Sequence, residues 1–261
     1  MKLHRIYGIF LRYWYVLVHS LNRKANIFYW PVMDLITWGI TSKYITQLNT
    51  GLPNIILMFV SGIYFWLIVW LGQYEITINF LDELWNRNLV NIFVSPLKLS
   101  EWITSVILAS ILKIIISLSF ASLVGYVLYQ TNILAYGLYL IPFALSLILT
   151  GWAAGLFIAG IVVRFGSQVE TLAWTALAII SPFSAVYYPL STLPVWAQQI
   201  AKLIPTSYIF ENGRNLIYGK TVSTSGIVTS LLLNFVYITL AILFFKQSFA
   251  KAKQKGLTSL H

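Results

Sequence analysis

Residues 53–74 read PNIILMFVSGIYFWLIVWLGQY, and this stretch decides the class of fold. It contains no Asp, Glu, Lys or Arg, and as a helix it is long enough to cross about 30 Å of hydrocarbon. The rest of the chain agrees with it, because only 9% of the 261 residues are charged, against about 25% in soluble domains. We therefore predict an all-α polytopic membrane protein.

Five further apolar stretches are long enough to cross a membrane as helices. Together with the first they predict six transmembrane helices, at about 27–48, 53–74, 101–129, 133–163, 171–188 and 225–245. Residues 1–261 are expected to form a single transmembrane domain.

The basic residues predict the orientation of the chain, whose net charge is +10. Twelve of the 17 Lys and Arg lie at the two chain ends and in alternate connections; on the opposite side lie three in the segment 189–220 and Lys43 near the end of the first span, and Lys113 lies deep inside a span. Because basic loops stay in the cytoplasm, both termini are predicted to be cytoplasmic. This placement suits anionic membrane lipids and not a nucleic acid.

Signatures of catalysis and metal binding are missing from the sequence. It has no Cys, and its three His are too scattered for a metal site. Gly219-Lys220-Thr221 resembles the end of a phosphate-binding loop, but Arg214 stands where that loop needs its first Gly. We expect no metal site, no bound cofactor and no catalytic site in this chain.

Residues 1–24 are predicted to form a separate amphipathic helix. Arg5, Arg12 and His19 recur every seven residues and form a narrow polar stripe on an otherwise apolar helix. Such a helix suits the cytoplasmic interface of the membrane. The alternative is a short extra buried helix, whose polar stripe would need partners.

Two connections do not read as ordinary loops. The cytoplasmic segment 75–100 is predicted to contain a short helix over 80–94, which Pro96 ends. The outer segment 189–220 is too apolar for a solvated loop, and Pro194 and Pro205 suit the first turns of two half-helices. We predict a re-entrant hairpin there, and a basic cytoplasmic tail over 247–261.

Ionisable residues inside spans are candidates for function. Asp34 and Lys113 fall at similar predicted depths, so one hypothesis pairs them; in the alternative each has a different polar neighbour or reaches interfacial water. Trp38 and Trp66 belong to an aromatic set that either anchors the membrane interface or lines a substrate path. Gly151-x-x-x-Gly155 predicts close helix packing.

Two stretches carry a resemblance to a known family. ELWNRNLVNIFVSP, residues 83–96, is similar to the pattern Glu-Arg-x-x-Gly-Thr-Leu-x-x-Leu-Leu-x-Ser-Pro, with Leu84 in place of the first Arg and Arg87-Asn88 in place of Gly-Thr. A second stretch has YPLSTLPVW at 188–196, IPTSY at 204–208, Glu211 and Arg214. It is similar to the pattern Phe-Pro-Leu-Ser-x-Leu-Pro-x-Trp, followed by Pro-x-x-Tyr and a closing Arg. In these patterns and in the order of its elements the chain resembles the type-2 ABC exporter permeases of bacterial drug, polysaccharide and lipid export.

The resemblance implies a role for each unusual connection. The cytoplasmic segment would be a coupling helix that docks on an ATPase, through Glu83, Trp85, Arg87, Leu89, Phe93 and Pro96. The outer hairpin would gate the pathway, through Pro189, Pro194, Trp196, Pro205, Tyr208, Glu211 and Arg214, of which the last two could pair.

The resemblance also implies partners and a location. A separate ABC ATP-binding subunit, in two copies, would carry ATP and Mg, and a second permease copy or a related permease would complete the pathway around spans one, two and five. The complex would lie in the bacterial plasma (inner) membrane and export a drug, lipid, peptide or lipid-linked glycan. An ion- or proton-coupled secondary transporter is the alternative, although no internal repeat is visible, and an intramembrane enzyme or scaffold is a third reading.

Overall fold

The computed structural model describes residues 1–48, 54–86, 88, 91, 95–169 and 171–255. Within these ranges the chain is helical and contains no strand. The α-helices are α1 Leu3–His19, α2 Leu21–Lys24, α3 Trp30–Gln47, α4 Ile55–Trp85, α5 Leu99–Tyr129, α6 Leu140–Phe165, α7 Thr171–Ile180, α8 Val195–Ala201, α9 Pro205–Ile217 and α10 Thr224–Lys255.

Four helices among the described residues are long and apolar enough to cross a membrane. They span Ile55–Trp85, Leu99–Tyr129, Ile133–Phe165 and Thr224–Ala252, at the positions of the second, third, fourth and sixth predicted spans. The first predicted span contains α3, which carries Asp34 and Lys43 within 18 residues. The fifth contains α7, whose 10 residues rise only about 15 Å. The membrane-protein class is confirmed, and the count of six stays a prediction.

Helix α4 is the central element of the bundle and is buried over most of its length. It packs against α3, α5 and α6, and α6 packs in turn against α10. Gly151 of α6 meets α4 so closely that a Cβ atom there would lie 2.5 Å from the carbonyl oxygen of Val69, and one at Gly155 would lie 2.8 Å from that of Gln73. These small residues therefore serve close helix packing, as predicted.

Helix α4 also corrects one prediction from the sequence. The second span was expected to end at Tyr74 and a separate helix to cover 80–94, but α4 continues without a break to Trp85. The physical reason is that no Pro or Gly occurs between Gln73 and Pro96, so nothing interrupts the helix at the predicted span end. Residues 87, 89–90 and 92–94 lie outside the described residues.

A π-helical turn, Ala25–Tyr29, joins α2 to α3. Pro31 follows it and has no backbone N–H to donate to the carbonyl of Ile27. The hydroxyl of Ser117 on α5 donates to that carbonyl instead, at 2.7 Å. Helix α5 thus stabilises the irregular turn that begins the first predicted span.

Helix α1 packs on α5 through Ile6, Tyr13 and Leu17, which are buried. Leu3 and Tyr7 on its other side are exposed. A helix is therefore present at the predicted position and bears apolar side chains on its free face, while Arg5 and Arg12 of the predicted polar stripe pair with Glu101 and Glu83, as the alternative of an extra helix in the bundle requires. Its position relative to a membrane stays a prediction.

Candidate functional site

The carboxylate of Glu83 lies near the end of α4 and joins it to α1. It accepts hydrogen bonds from Arg12 at 2.9 Å, from the Tyr13 hydroxyl at 3.1 Å and from the Asn88 amide at 2.8 Å. The indole N–H of Trp102 on α5 donates to the same Tyr13 hydroxyl at 2.8 Å. Burial, together with the charge of Glu83, raises the pKa of the Tyr13 hydroxyl, so this hydroxyl stays protonated and able to donate.

The start of α5 is tied to α1 in the same way. Glu101 forms an ion pair with Arg5 at 3.6 Å and accepts the backbone N–H of Lys2 at 2.7 Å. Arg5 also donates to the carbonyl of Pro96, and Ser105 donates to that of Ile6 at 3.0 Å. Helix α1 therefore holds both ends of the segment between α4 and α5, which is the predicted coupling segment.

The other predicted coupling residues fall partly outside the described chain. Trp85, the last residue of α4, is 45% exposed and presents a large apolar ring at this end of the bundle. Arg87, Leu89 and Phe93 lie outside the described residues, so their predicted roles stay predictions.

Lys113 has a different partner from the one that the sequence suggested. Its ammonium group forms a buried ion pair with Glu75 of α4, and Asn79 donates to the same carboxylate at 3.3 Å. The hypothesis that Asp34 pairs with Lys113 is therefore wrong. The alternative is right for Lys113 in that it bonds a different polar neighbour, and contact of Asp34 with interfacial water stays a prediction. Glu75 was not among the intramembrane residues predicted from the sequence, because the predicted second span ends at residue 74, one position before it.

Asp34 instead lines a cleft of about 450 Å³. The walls come from the π-helical turn, α3, α4, α7 and the segment after α7. The other lining residues are Asn26, Trp30, Pro31, Ile63, Trp66, Leu67, Trp70, Trp174 and Tyr187. Trp38 lies outside this wall and stacks on Tyr187, with ring centroids 4.6 Å apart. Of the four intramembrane candidates, the structure brings together Asp34 and Trp66, places Trp38 behind them and separates Lys113.

A second, larger groove of about 680 Å³ lies between α6, α10 and the turn from α8 to α9. Phe157, Leu240 and Phe244 are among its lining residues, and none of the residues that line it is charged. Its lining is mostly apolar, which suits lipid tails, and the hydroxyls of two of its polar members, Thr150 and Tyr237, already donate to Asn234 and to the Leu203 carbonyl.

The predicted outer hairpin contains two short helices, α8 and α9. Pro194 is the N-cap of α8, and Pro205 is the first residue of α9. The carbonyl of Leu203, in the turn between them, accepts the hydroxyl of Tyr237 at 2.6 Å. Tyr237 is thirteen residues along α10 from Thr224, so this turn contacts α10 about 20 Å from its start. Re-entry of the hairpin into a membrane stays a prediction.

Arg214 connects the hairpin to the turn that follows α7, within the fifth predicted span. Its buried guanidinium pairs with Glu211 at 3.1 Å and donates to the carbonyl of Ala185 at 2.8 Å. Ala185 ends the turn Ser181–Ser184 that follows α7, with a left-handed φ of 56°. A cation at such a helix end satisfies its free carbonyls. The predicted pairing of Glu211 with Arg214 is present.

The remaining hairpin residues have packing contacts. Pro189 precedes the turn Leu190–Thr192, and the Tyr208 hydroxyl donates to the Lys202 carbonyl at 2.9 Å. Trp196 is 63% exposed and touches Phe183 edge to face, with centroids 6.0 Å apart. None of these contacts tests a gating role.

A polar contact between α6 and α10 was not predicted. Ser146 and Ser230 hydroxyls lie 2.6 Å apart, and Thr150 donates to Asn234 at 2.8 Å. The sequence signal was the four-residue spacing of each pair, which places both polar residues on one helix face. These bonds join the helix that follows the hairpin to the bundle core.

Comparison with known families agrees with this architecture. The family model of the ABC-2 family transporter proteins matches residues 34–245. The chain therefore belongs to the ABC-2 family of transporter proteins. No curated protein sequence matches the chain closely enough to count as a relative. Members of this family are membrane components of ABC transporters that normally work with an ATP-binding subunit and typically have no catalytic activity of their own.

Proposed function

We propose that this chain is the permease subunit of an ATP-driven exporter and that a separate ABC ATPase, in two copies, docks on the segment between α4 and α5. The observation that carries the proposal is that α1 forms ion pairs at both ends of that segment, from Arg12 to Glu83 and from Arg5 to Glu101. A segment held in this way transmits a push to α4 and α5 together. ATP and Mg belong to the partner.

Two permease copies, identical or related, enclose the pathway, with the Asp34 cleft facing it. Closure of the ATPase pair moves α4 and α5 and alternates access between the two sides. The α8–α9 hairpin closes the outer side, and Arg214 links its movement to the end of the α7 turn. The termini are cytoplasmic, in the bacterial plasma membrane, and the cargo is amphipathic: a drug, lipid, peptide or lipid-linked glycan.

The docking claim is tested by purifying the tagged chain from the cells that naturally produce it and measuring the ABC ATPase bound to it. We expect the two to co-purify, and we expect Trp85→Glu to reduce the bound ATPase at least several-fold, because it places a charge on the exposed apolar end of α4. The matched control is Trp196→Glu, at the opposite end of the bundle, which should leave the bound ATPase unchanged. Equal loss in both variants, or no ATPase with the wild-type chain, would contradict the proposal.

A further inference from the structure

The described acidic side chains divide into five with an ionic partner and one without. The chain has seven Asp and Glu, and Glu170 lies outside the described residues. The five that form ion pairs with Lys or Arg are Glu75, Asp82, Glu83, Glu101 and Glu211. Asp34 has neither an ion pair nor a hydrogen bond in the described part of the chain.

Three basic residues of α2, α3 and α5 already have other partners, and a fourth, Lys24 of α2, does not line the Asp34 cleft. Arg23 pairs with Asp82, and Lys113 pairs with Glu75. Lys43, nine residues after Asp34, lies over the ring of Tyr129 at 5.2 Å. None of the residues that line the Asp34 cleft is Lys or Arg, so Asp34 is the one acidic or basic residue of the lining and has no basic side chain beside it there.

Aromatic rings form most of the remaining wall. Four of the ten Trp of the chain line the cleft, namely Trp30, Trp66, Trp70 and Trp174. Trp70 is stacked on Tyr74 with centroids 4.9 Å apart, and the lining Tyr187 is stacked on Trp38. These stacked rings are held in place by their neighbours, so the cleft is largely preformed.

We infer that this cleft binds an amphipathic organic cation, such as a hydrophobic ammonium or phosphonium. Aromatic faces attract cations, and Trp does so most strongly, while Asp34 supplies the opposite charge. A compact metal ion would need about six oxygen ligands, and the only side chains of this lining that carry oxygen are Asn26, Asp34 and Tyr187.

The inference rests on the proposed function only in treating the cleft as part of the pathway, and binding can be measured without transport. The full chain, in nanodiscs of neutral phosphatidylcholine, is titrated with radiolabelled tetraphenylphosphonium and with tetraphenylborate. The two ions share shape and size and differ in the sign of their charge. Empty nanodiscs give the background. We expect saturable binding of the cation and none of the anion above background.

Variants then assign the binding to the cleft. Asp34→Asn should weaken binding of the cation about tenfold, from the loss of one partly solvated ion pair, while Asp34→Glu should retain it. Trp66→Leu should weaken binding several-fold. Phe235→Leu, which removes an exposed ring from α10, is the matched control and should change nothing.

Two results would overturn the inference. The first is equal binding of both ions, or no saturable binding, by the wild-type chain. This result does not depend on whether any variant folds. The second is unchanged binding in a folded Asp34→Asn variant. If the cation fails to bind but the ATPase still co-purifies, the inference fails and the proposed function stands. If the cation binds but no ATPase co-purifies, the inference stands and the proposed function fails.

Discussion

The ammonium group of Lys113 and the carboxylate of Glu75 form an ion pair inside the bundle, where the two side chains expose only 3% and 2% of their surface. Removing one partner leaves a buried charge without compensation, at a cost of about 3–5 kcal/mol. We therefore expect Lys113→Met and Glu75→Gln each to lower the thermal unfolding temperature of the purified protein strongly. The double variant should recover most of the loss, because it leaves no charge behind.

The same measurement separates this pair from the one that the sequence suggested. Asp34→Asn combined with Lys113→Met should remain as unstable as Lys113→Met alone. Recovery in that combination, and not in the variant with Glu75→Gln, would show that the pairing in the structure is wrong.

The hydroxyl of Tyr13 is also expected to contribute to the stability of the folded protein. This hydroxyl accepts from Trp102 and donates to Glu83, so Tyr13→Phe leaves two buried polar groups short of a partner. The expected cost is about 1–3 kcal/mol, measured as a lower unfolding temperature. Tyr7→Phe, on the exposed side of α1, should leave that temperature unchanged, and equal behaviour of the two variants would refute the role of Tyr13.

Gly151 should tolerate no side chain, because the backbone of α4 occupies the space. A Cβ there would lie 2.5 Å from the Val69 carbonyl oxygen and 3.0 Å from the Gly72 Cα atom. We expect Gly151→Ala to destabilise the protein by about 1–3 kcal/mol, read from thermal unfolding. Gly8 has open space around it, so Gly8→Ala should cause no loss; a stable Gly151→Ala variant would mean that α4 and α6 lie further apart.

The four long helices could be predicted from the sequence because apolar runs of their length with few or no charged residues are typical of transmembrane helices. The starts of the two hairpin helices could be predicted because Pro favours the beginning of a helix: Pro194 is the N-cap of α8 and Pro205 is the first residue of α9. The pairing of Glu211 with Arg214 followed from their spacing on one helix. In each case the information is local to one element.

The partner of Lys113 could not be predicted, because the choice depends on how helices are arranged around one another. Asp34 matched Lys113 in estimated depth, but depth leaves the direction of each side chain open, and α4 brings Glu75 nearer. Only part of the aromatic cleft could be predicted. The Trp residues of the first two predicted spans were recognised as one set from the sequence, but Trp174 joins them only through the packing of α7. The contacts of α1 with Glu83 and Glu101 are also long-range and left no local pattern.

The orientation can be tested because the chain has no Cys of its own. Lys220 and Arg164 are both exposed and are predicted to lie on opposite sides of the membrane. A membrane-impermeant maleimide should label Lys220→Cys in intact cells and Arg164→Cys only after permeabilisation. The reverse pattern would place the termini outside, and labelling of both in intact cells would rule out the predicted set of spans.

The most direct test of the central claim is ATP hydrolysis by the reconstituted complex. The chain and its ATPase, co-purified and placed in liposomes, should hydrolyse ATP in a vanadate-sensitive manner, and the chain alone should show no hydrolysis. The rate should fall several-fold in the complex with Trp85→Glu, to the extent that docking is lost. Export by the purified chain without any ATPase, driven by an ion gradient, would contradict the account.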